Sequence, residues 1–418
     1  MAPTVAARTA PPALPATGPA RVAARETIRL QQPEPPQPEA IMDYYRKAVD
    51  ASFYSNGGPC ARLLTDRLST YLGGDAFCVP VGNCTVGLMA AVRAACGAPE
   101  GDRRLILTPA YTFTATACAI EWAGFEAAFV DVDEHGWHMD ARSLEQALDA
   151  FPGEVAGVLA CATFGTAPPS EQRAAWRQAC ERHGVPLLID SAPGFGGRDE
   201  HGRRLGAMGD TEIFSFHATK PFSIGEGGLV VTADPELAAR VERLVNFGLD
   251  RETRTSSEIG FNAKMSELHA ATGLAMLDRF DDVLARRQAT ARRLQVQLSD
   301  QPLTLQRGSE RCTWQIFHAL CPSPAVRERC VQLSGHHGVE VRTMHDPPLH
   351  RHPAFADRRR VDLGVTERIA ARAIGLPMAN QLSEVAMERI AALVADAVGS
   401  DVDPVGPSTL GWIATVGR

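Results

Sequence analysis

The middle of the chain alternates between two patterns of apolar and polar positions. Short apolar stretches rich in β-formers are separated by longer segments in which apolar residues recur at helical spacing. The apolar stretches are FCVPV, RLILT, AAFVDV, VAGVLACATF, VPLLID, EIFSF and LVVTA. Because they lack strict in/out alternation and are separated by amphipathic helices, they predict a mostly parallel seven-stranded sheet flanked by helices. We therefore expect an α/β fold.

The pattern changes toward both ends of the chain. Residues 1–40 are rich in Ala and Pro without the apolar core of a secretory signal, and predict a disordered leader. Residues 41–280 are expected to form the large domain. Long helices after Met265 and a segment beginning WQIFHAL predict a smaller α+β domain over residues 281–400, followed by a tail at 401–418.

Composition and charge restrict the partners. The 418 residues are 45% hydrophobic and 22% charged, as in ordinary globular proteins. A net charge of −7 argues against nucleic acid, and no apolar run is long enough to span a membrane. The ten cysteines include no C-x-x-C pair, and several lie in apolar runs, so we expect reduced thiols in a cytoplasmic protein.

A histidine cluster in HDPPLHRH comprises His345, His350 and His352. Its prolines and the absence of a second group of ligands favour a structural or substrate-facing loop. The sequence therefore predicts no metal site.

Ligands of open α/β sheets bind beyond the carboxyl ends of the strands, so the residues that follow each strand are candidates for chemistry. Gly82–Thr85 precedes an apolar helix and predicts either a phosphate site or an ordinary βα turn. A P-loop is excluded because no G-x-x-x-x-G-K-[ST] occurs. Tyr111 and Phe113 could stack on a planar ring or pack in the core. Asp190 ends VPLLID and could be an acid or a turn former.

Lys220 is the most specific of these signals. It stands between an apolar strand and the glycine-rich IGEGG, a setting in which an ammonium is costly to bury. Burial lowers the pKa of a lysine and makes it available as the nucleophile that a Schiff base requires. A phosphate turn, an aromatic ring, an acid and an amine together fit one cofactor, pyridoxal 5′-phosphate (PLP).

Seven motifs in order between residues 42 and 396 resemble the sugar aminotransferases of the DegT/DnrJ/EryC1/StrS family, which are PLP enzymes of fold type I. The motifs are SNGGPCARLLTDRLSTYLG, GNCTVGLMAAV, TPAYTFTATACAIEWAGFEAAFVDVD, HGVPLLIDSAPGFGG, GDTEIFSFHATKPFSIGEGGLVVT, GFNAKMSELHAATGLAML and PPLHRHPAF.

The resemblance implies a role for individual residues. Lys220 would form the Schiff base and move the proton between the amino donor and the cofactor, and Asp190 would pair with the pyridine nitrogen. Phe113 would stack on the ring. The phosphate would be held by Cys84, Thr85, Ser215 and the neighbouring subunit's Asn262. The sugar would be contacted by His217 and His350. Sharing of Asn262 would make the protein a homodimer.

The resemblance also implies a reaction. An amino group would move from L-glutamate or L-glutamine to the ketone of a nucleotide-linked keto-deoxysugar, in amino sugar biosynthesis for secondary metabolism. A cyclitol ketone is an alternative acceptor, and non-transaminating elimination or C–C bond formation is an alternative reaction. A PLP-binding regulatory protein is disfavoured because a binding module needs no nucleophile.

Three positions depart from the family pattern. Cys84 stands where glycine is usual, Lys264 replaces an arginine, and Pro193 replaces a Gln or His that would bind the cofactor's 3′-oxygen. Retention of Lys220 argues against the family's dehydratase branch, in which a histidine stands at this position.

Overall fold

The computed structural model describes residues 26–250 and 252–399. These residues form twelve strands and twelve α-helices. The strands are β1 (Gln31–Gln32), β2 (Phe77–Val81), β3 (Leu105–Pro109), β4 (Glu126–Val130), β5 (Val155–Cys161), β6 (Leu187–Asp190), β7 (Thr211–Ser215), β8 (Gly228–Thr232), β9 (Phe317–Leu320), β10 (Arg342–Thr343), β11 (Ala373–Leu376) and β12 (Met378–Ala379). The helices are α1 (Pro38–Asp50), α2 (Pro59–Tyr71), α3 (Cys84–Cys96), α4 (Thr114–Trp122), α5 (Ala141–Ala150), α6 (Ser170–His183), α7 (Pro235–Leu244), α8 (Glu267–Leu277), α9 (Phe280–Gln297), α10 (Pro324–His337), α11 (Gly364–Ala370) and α12 (Glu384–Gly399).

Seven strands form the large sheet, in the order β2-β8-β7-β6-β5-β3-β4. The strands from β7 to β4 pair in parallel, whereas β8 runs antiparallel to both of its neighbours. Strands β3, β5, β7 and β8 are buried along their whole length, as the continuous apolar stretches require when helices cover both faces. The predicted fold class is confirmed.

The smaller sheet is antiparallel, with the order β10-β11-β9. Helix α9 connects the two regions. Val283 and Leu284, near its start, pack in the core beneath the large sheet, while Ala291 and Leu294 pack in a separate core with α12. The second half of α9 therefore belongs with the C-terminal region.

Part of the predicted disordered leader is ordered, so the predicted boundary at residue 40 is corrected. Residues 31–32 form β1, which pairs in parallel with β12, and Ile28 and Leu30 are buried against the C-terminal region. Two isolated apolar residues give no periodic signal in the sequence, but Ile28 packs in the core of the C-terminal region and Leu30 packs with Ile316 and Ile369. The rest of the leader, residues 1–25, and the tail at 401–418 lie outside the described residues.

The ten cysteines are free thiols, and eight of them are buried. Across the described residues no helix combines the length and hydropathy that crossing a bilayer requires. Nor do three His, Cys, Asp or Glu side chains come together there as a metal site would require.

Candidate active site

Asp190 ends β6 at the carboxyl edge of the large sheet and is buried. Its Oδ2 accepts a hydrogen bond of 2.7 Å from the Thr116 hydroxyl, and its Oδ1 accepts one of 3.0 Å from the Ala192 N–H. Burial raises the pKa of Asp190, while these two hydrogen bonds and the charge of Lys220 oppose that rise. A cationic group placed beside this carboxylate would compensate for the loss of solvent.

Lys220 lies in the loop after β7 and is half-buried. Burial lowers the pKa of its amine, against the opposing effects of Cys84 and Asp190, which face it. Its Nζ donates a 3.1 Å hydrogen bond to Oε1 of Gln315, which precedes β9 in the C-terminal region. The amine is therefore held between residues of the two regions, with a larger neutral fraction than an exposed lysine has.

The turn after β2 leads into α3, whose first N–H groups have no carbonyl partner inside the helix. Asn83 caps the helix by accepting from the N–H of Val86 at 3.1 Å, which leaves the N–H groups of Cys84 and Thr85 at its tip. Gly228 lies so close that a Cβ there would be 2.7 Å from the nitrogen of Cys84. Since Ser215 pairs with Gly228 in the sheet, its side chain begins beside the same turn.

Phe113 immediately precedes α4, and its side chain is 65% exposed. Tyr111, the other aromatic residue of this segment, is buried and packs edge-on against Phe164 and His345. The exposed ring is thus available to stack on a ligand, while its neighbour packs in the core.

An aromatic stack joins the two regions beside Lys220. The ring of Phe164 is parallel to that of His345, with centroids 5.1 Å apart, and also stacks on His318 at 4.7 Å. Burial and the nearby charge of Lys220 lower the pKa of His345 to about 3. Its imidazole is therefore neutral near pH 7.

The two histidines expected near the sugar are held by local contacts. His217 accepts at Nδ1 from the Thr219 N–H at 3.2 Å, and its Nε2 lies 3.6 Å from Glu226. His350 forms a 2.6 Å hydrogen bond with Glu367 of α11. The structure joins neither side chain directly to Lys220.

Asn262 is exposed, and its Oδ1 accepts a 2.7 Å hydrogen bond from Lys264. The adjacent backbone contacts the phosphate turn from behind, because the N–H of Gly82 donates to the carbonyl of Ala263 at 2.7 Å. The structure gives Asn262 no contact with Lys220 or Asp190 among the described residues, and its role toward a neighbouring subunit stays a prediction.

Thr116 and Gln315 are functional candidates that the sequence interpretation missed, and His345 was assigned only to a structural or substrate-facing loop. Thr116 stands three residues after Phe113 on α4, so helical spacing from that aromatic residue could have identified it. Gln315 lies 95 residues from Lys220 in sequence, and His345 lies 125 residues from it. Only the docking of the C-terminal region brings them to the lysine.

The residues present fit pyridoxal phosphate. The N-terminus of α3 at Cys84 and Thr85 suits a phosphate, the buried carboxylate of Asp190 suits a pyridinium nitrogen, and the amine of Lys220 suits an aldehyde. The absence of a Cβ at Gly228 keeps the turn open.

This sheet and this set of side chains define a class: the protein is a PLP-dependent aminotransferase of fold type I. Residues 36–395 match the sequence model of the DegT/DnrJ/EryC1/StrS aminotransferase family, to which the chain belongs.

Three similar proteins span most of the chain. Protein Rv3402c of Mycobacterium tuberculosis is 33% identical over 374 residues, which cover 88% of this chain and 90% of that protein. The dTDP-4-amino-4,6-dideoxy-D-glucose transaminase of Shigella dysenteriae is 28% identical, covering 88% of this chain and 98% of the transaminase. The crystal structure of DesI in the presence of its TDP-sugar product superposes with a TM-score of 0.81 at 29% identity, covering 90% of this chain and 94% of DesI.

Proposed function

We propose that this enzyme transfers the amino group of L-glutamate or L-glutamine to the ketone of a nucleotide-linked keto-deoxysugar. The sugar acceptor is supported by the similarity to a dTDP-amino-dideoxyglucose transaminase and to DesI, whose structure was determined with a TDP-sugar product. The donor is proposed because transfer to a ketone requires an amino acid that can leave as a 2-oxo acid.

The observation that carries the proposal is the position of Lys220. Its amine has a lowered pKa and faces Asp190, at the edge of the sheet where α3 begins. An amine, an acid and a phosphate-binding helix tip at one edge are the parts that an aminotransferase must bring together.

In this proposal, PLP supplies an electron sink for the pair left behind when a proton leaves the donor's α-carbon. Asp190 holds a proton on the ring nitrogen, aided by the Thr116 hydroxyl. Cys84, Thr85 and Ser215 hold the phosphate, and Phe113 covers one face of the ring. The amine of Lys220 would take the proton from the donor's α-carbon and deliver it to the cofactor's C4′ carbon, on the other side of the nitrogen, which requires the neutral form that its lowered pKa favours.

We further propose that two copies of the chain share their active sites. Asn262 would reach the phosphate of the neighbouring subunit. The supporting observation is that three large apolar residues within 15 positions of Asn262 along the chain are exposed: Phe247 by 48%, Ile259 by 88% and Leu268 by 47%. Large apolar side chains grouped this way favour burial against a second copy.

The first test is a visible spectrum of the PLP-loaded protein before and after addition of L-glutamate. We expect loss of the cofactor's visible band and release of stoichiometric 2-oxoglutarate, and return of the band with an accepting keto-sugar. Lys220→Ala should abolish both the band and turnover. Retained turnover in that variant would refute the role of Lys220. A band that ignores glutamate and glutamine would instead favour elimination or C–C bond chemistry.

A further inference from the structure

Gln315, in the C-terminal region, accepts a hydrogen bond from the side chain of Lys220. Its Oε1 lies 3.1 Å from the lysine Nζ, although the two residues are 95 positions apart. A carboxamide carries both a donor and an acceptor on one planar group. It can therefore bind the lysine amine when that amine is free, and present its N–H to an oxygen when the amine is occupied.

The segment that carries Gln315 lies against the loop after β6. The hydroxyl of Thr313 donates a 2.6 Å hydrogen bond to the carbonyl of Pro193. A Cβ on Gly165 would lie 2.7 Å from the same carbonyl oxygen and 2.9 Å from the Thr313 hydroxyl, so the three residues are in close contact. The proline ring itself has no hydrogen-bonding group, whereas the adjacent segment carries the carboxamide of Gln315.

A buried arginine fixes the position of Gln315. Arg287 donates from Nε and Nη2 to the Trp314 carbonyl, at 3.1 and 2.7 Å, and from Nη2 to the Gln315 carbonyl at 3.2 Å. Its Nη1 donates to Asn380 at 2.9 Å. Burial lowers the pKa of Arg287 to about 10, so it remains charged at neutral pH. The carboxamide is therefore presented to Lys220 from a backbone held by several hydrogen bonds.

We propose that Gln315 is a positioning residue whose carboxamide donates a hydrogen bond to the 3′-oxygen of the cofactor held by Lys220, a contact that Pro193 cannot make. The inference rests on the proposed role of Lys220. On the pyridine ring, the 3′-oxygen and the carbon that binds the lysine are neighbouring substituents. A group in contact with the lysine nitrogen is thus within reach of that oxygen.

This contact has a measurable consequence. The negatively charged 3′-oxygen attracts the proton on the linked lysine nitrogen, and a donor to that oxygen weakens the attraction. Gln315 should therefore lower the pKa of the linked nitrogen. The other titratable groups that face Lys220 are Asp190, Cys84 and His345, and all three remain in the variants proposed below.

The experiment is a pH titration of the visible band of the PLP-loaded protein. Gln315→Met keeps the length of the side chain but removes its donor, and we expect the midpoint to rise by about one pH unit. Gln315→Glu cannot donate when ionised and adds a negative charge, so its midpoint should rise further. The matched control is Gln297→Met, which makes the same change at an exposed position of α9 and should titrate like the wild type.

The outcomes separate this inference from the proposed function. An unchanged midpoint in the Gln315 variants, with a melting temperature that falls, would mean a merely structural role and would overturn the inference. A lowered midpoint would also overturn it, because the carboxamide would then accept from the lysine nitrogen. If the wild type forms no visible band with PLP, or Lys220→Ala retains one, the assignment of Lys220 fails first.

Discussion

The hydroxyl of Thr116 is the side-chain group that the structure brings to Asp190, and removing it tests how the acid works. Its Oγ1 donates to the carboxylate at 2.7 Å from a fully buried position. A hydrogen bond to a charged group contributes about 1.5–3 kcal/mol. Without it, the pKa of Asp190 rises further, and the proton shared with the ring nitrogen moves toward the carboxylate.

Thr116→Val should therefore slow the half-reaction with L-glutamate by about tenfold to a hundredfold, since each 1.4 kcal/mol corresponds to a factor of ten. The assay is single-turnover loss of the visible band, followed by stopped flow. Thr108→Val is the matched control, because Thr108 is equally buried and its Oγ1 has no hydrogen-bond partner among the described residues. A rate equal to that of Thr108→Val would refute the reasoning.

Three further predictions concern the acid, the phosphate turn and the core. Asp190→Asn should preserve the fold by circular dichroism but reduce turnover severely, because a neutral amide cannot hold the pyridinium proton; nearly unchanged turnover would mean that the acid is misassigned. Gly228→Ala should weaken PLP binding measured by absorbance titration, since its Cβ would lie 2.7 Å from the Cys84 nitrogen, and wild-type affinity would contradict that placement. Burial raises the pKa of Glu212 to about 7 from an ordinary value of 4.5, so the stability that its protonated form provides is lost as pH rises through 7. In urea unfolding, the free energy of unfolding of the wild type should fall by roughly 3 kcal/mol between pH 4.5 and 8 relative to that of Glu212→Gln. Parallel pH profiles of the two proteins would be inconsistent with this.

The acid and the lysine illustrate what local sequence can predict. Asp190 follows a run of buried apolar residues, and Lys220 follows another, so each was assigned to the carboxyl edge of a strand from its neighbours alone. Their mutual position needed only the rule that parallel strands end at one edge of a sheet. The roles carried over for Asn262, His217 and His350 remain predictions.

The N-terminal segment illustrates the opposite case. Glu34 accepts at Oε1 a 2.9 Å hydrogen bond from Nη2 of Arg286. It also contacts Arg279 and Asn380. In sequence it is one charged residue among prolines, within a stretch whose composition predicts disorder. Its order comes from partners more than 240 residues away, which no local pattern reports.

The sequence by itself determined the seven strands of the large sheet and the positions of Asp190 and Lys220, because short apolar stretches and the residues that follow them are local properties. The tertiary structure alone decided the order of the strands, the hydrogen bond from Thr116 to Asp190, and the contact between Lys220 and Gln315. These depend on how helices and the C-terminal region pack on the sheet, and packing brings together residues whose separation along the chain leaves no pattern in the sequence.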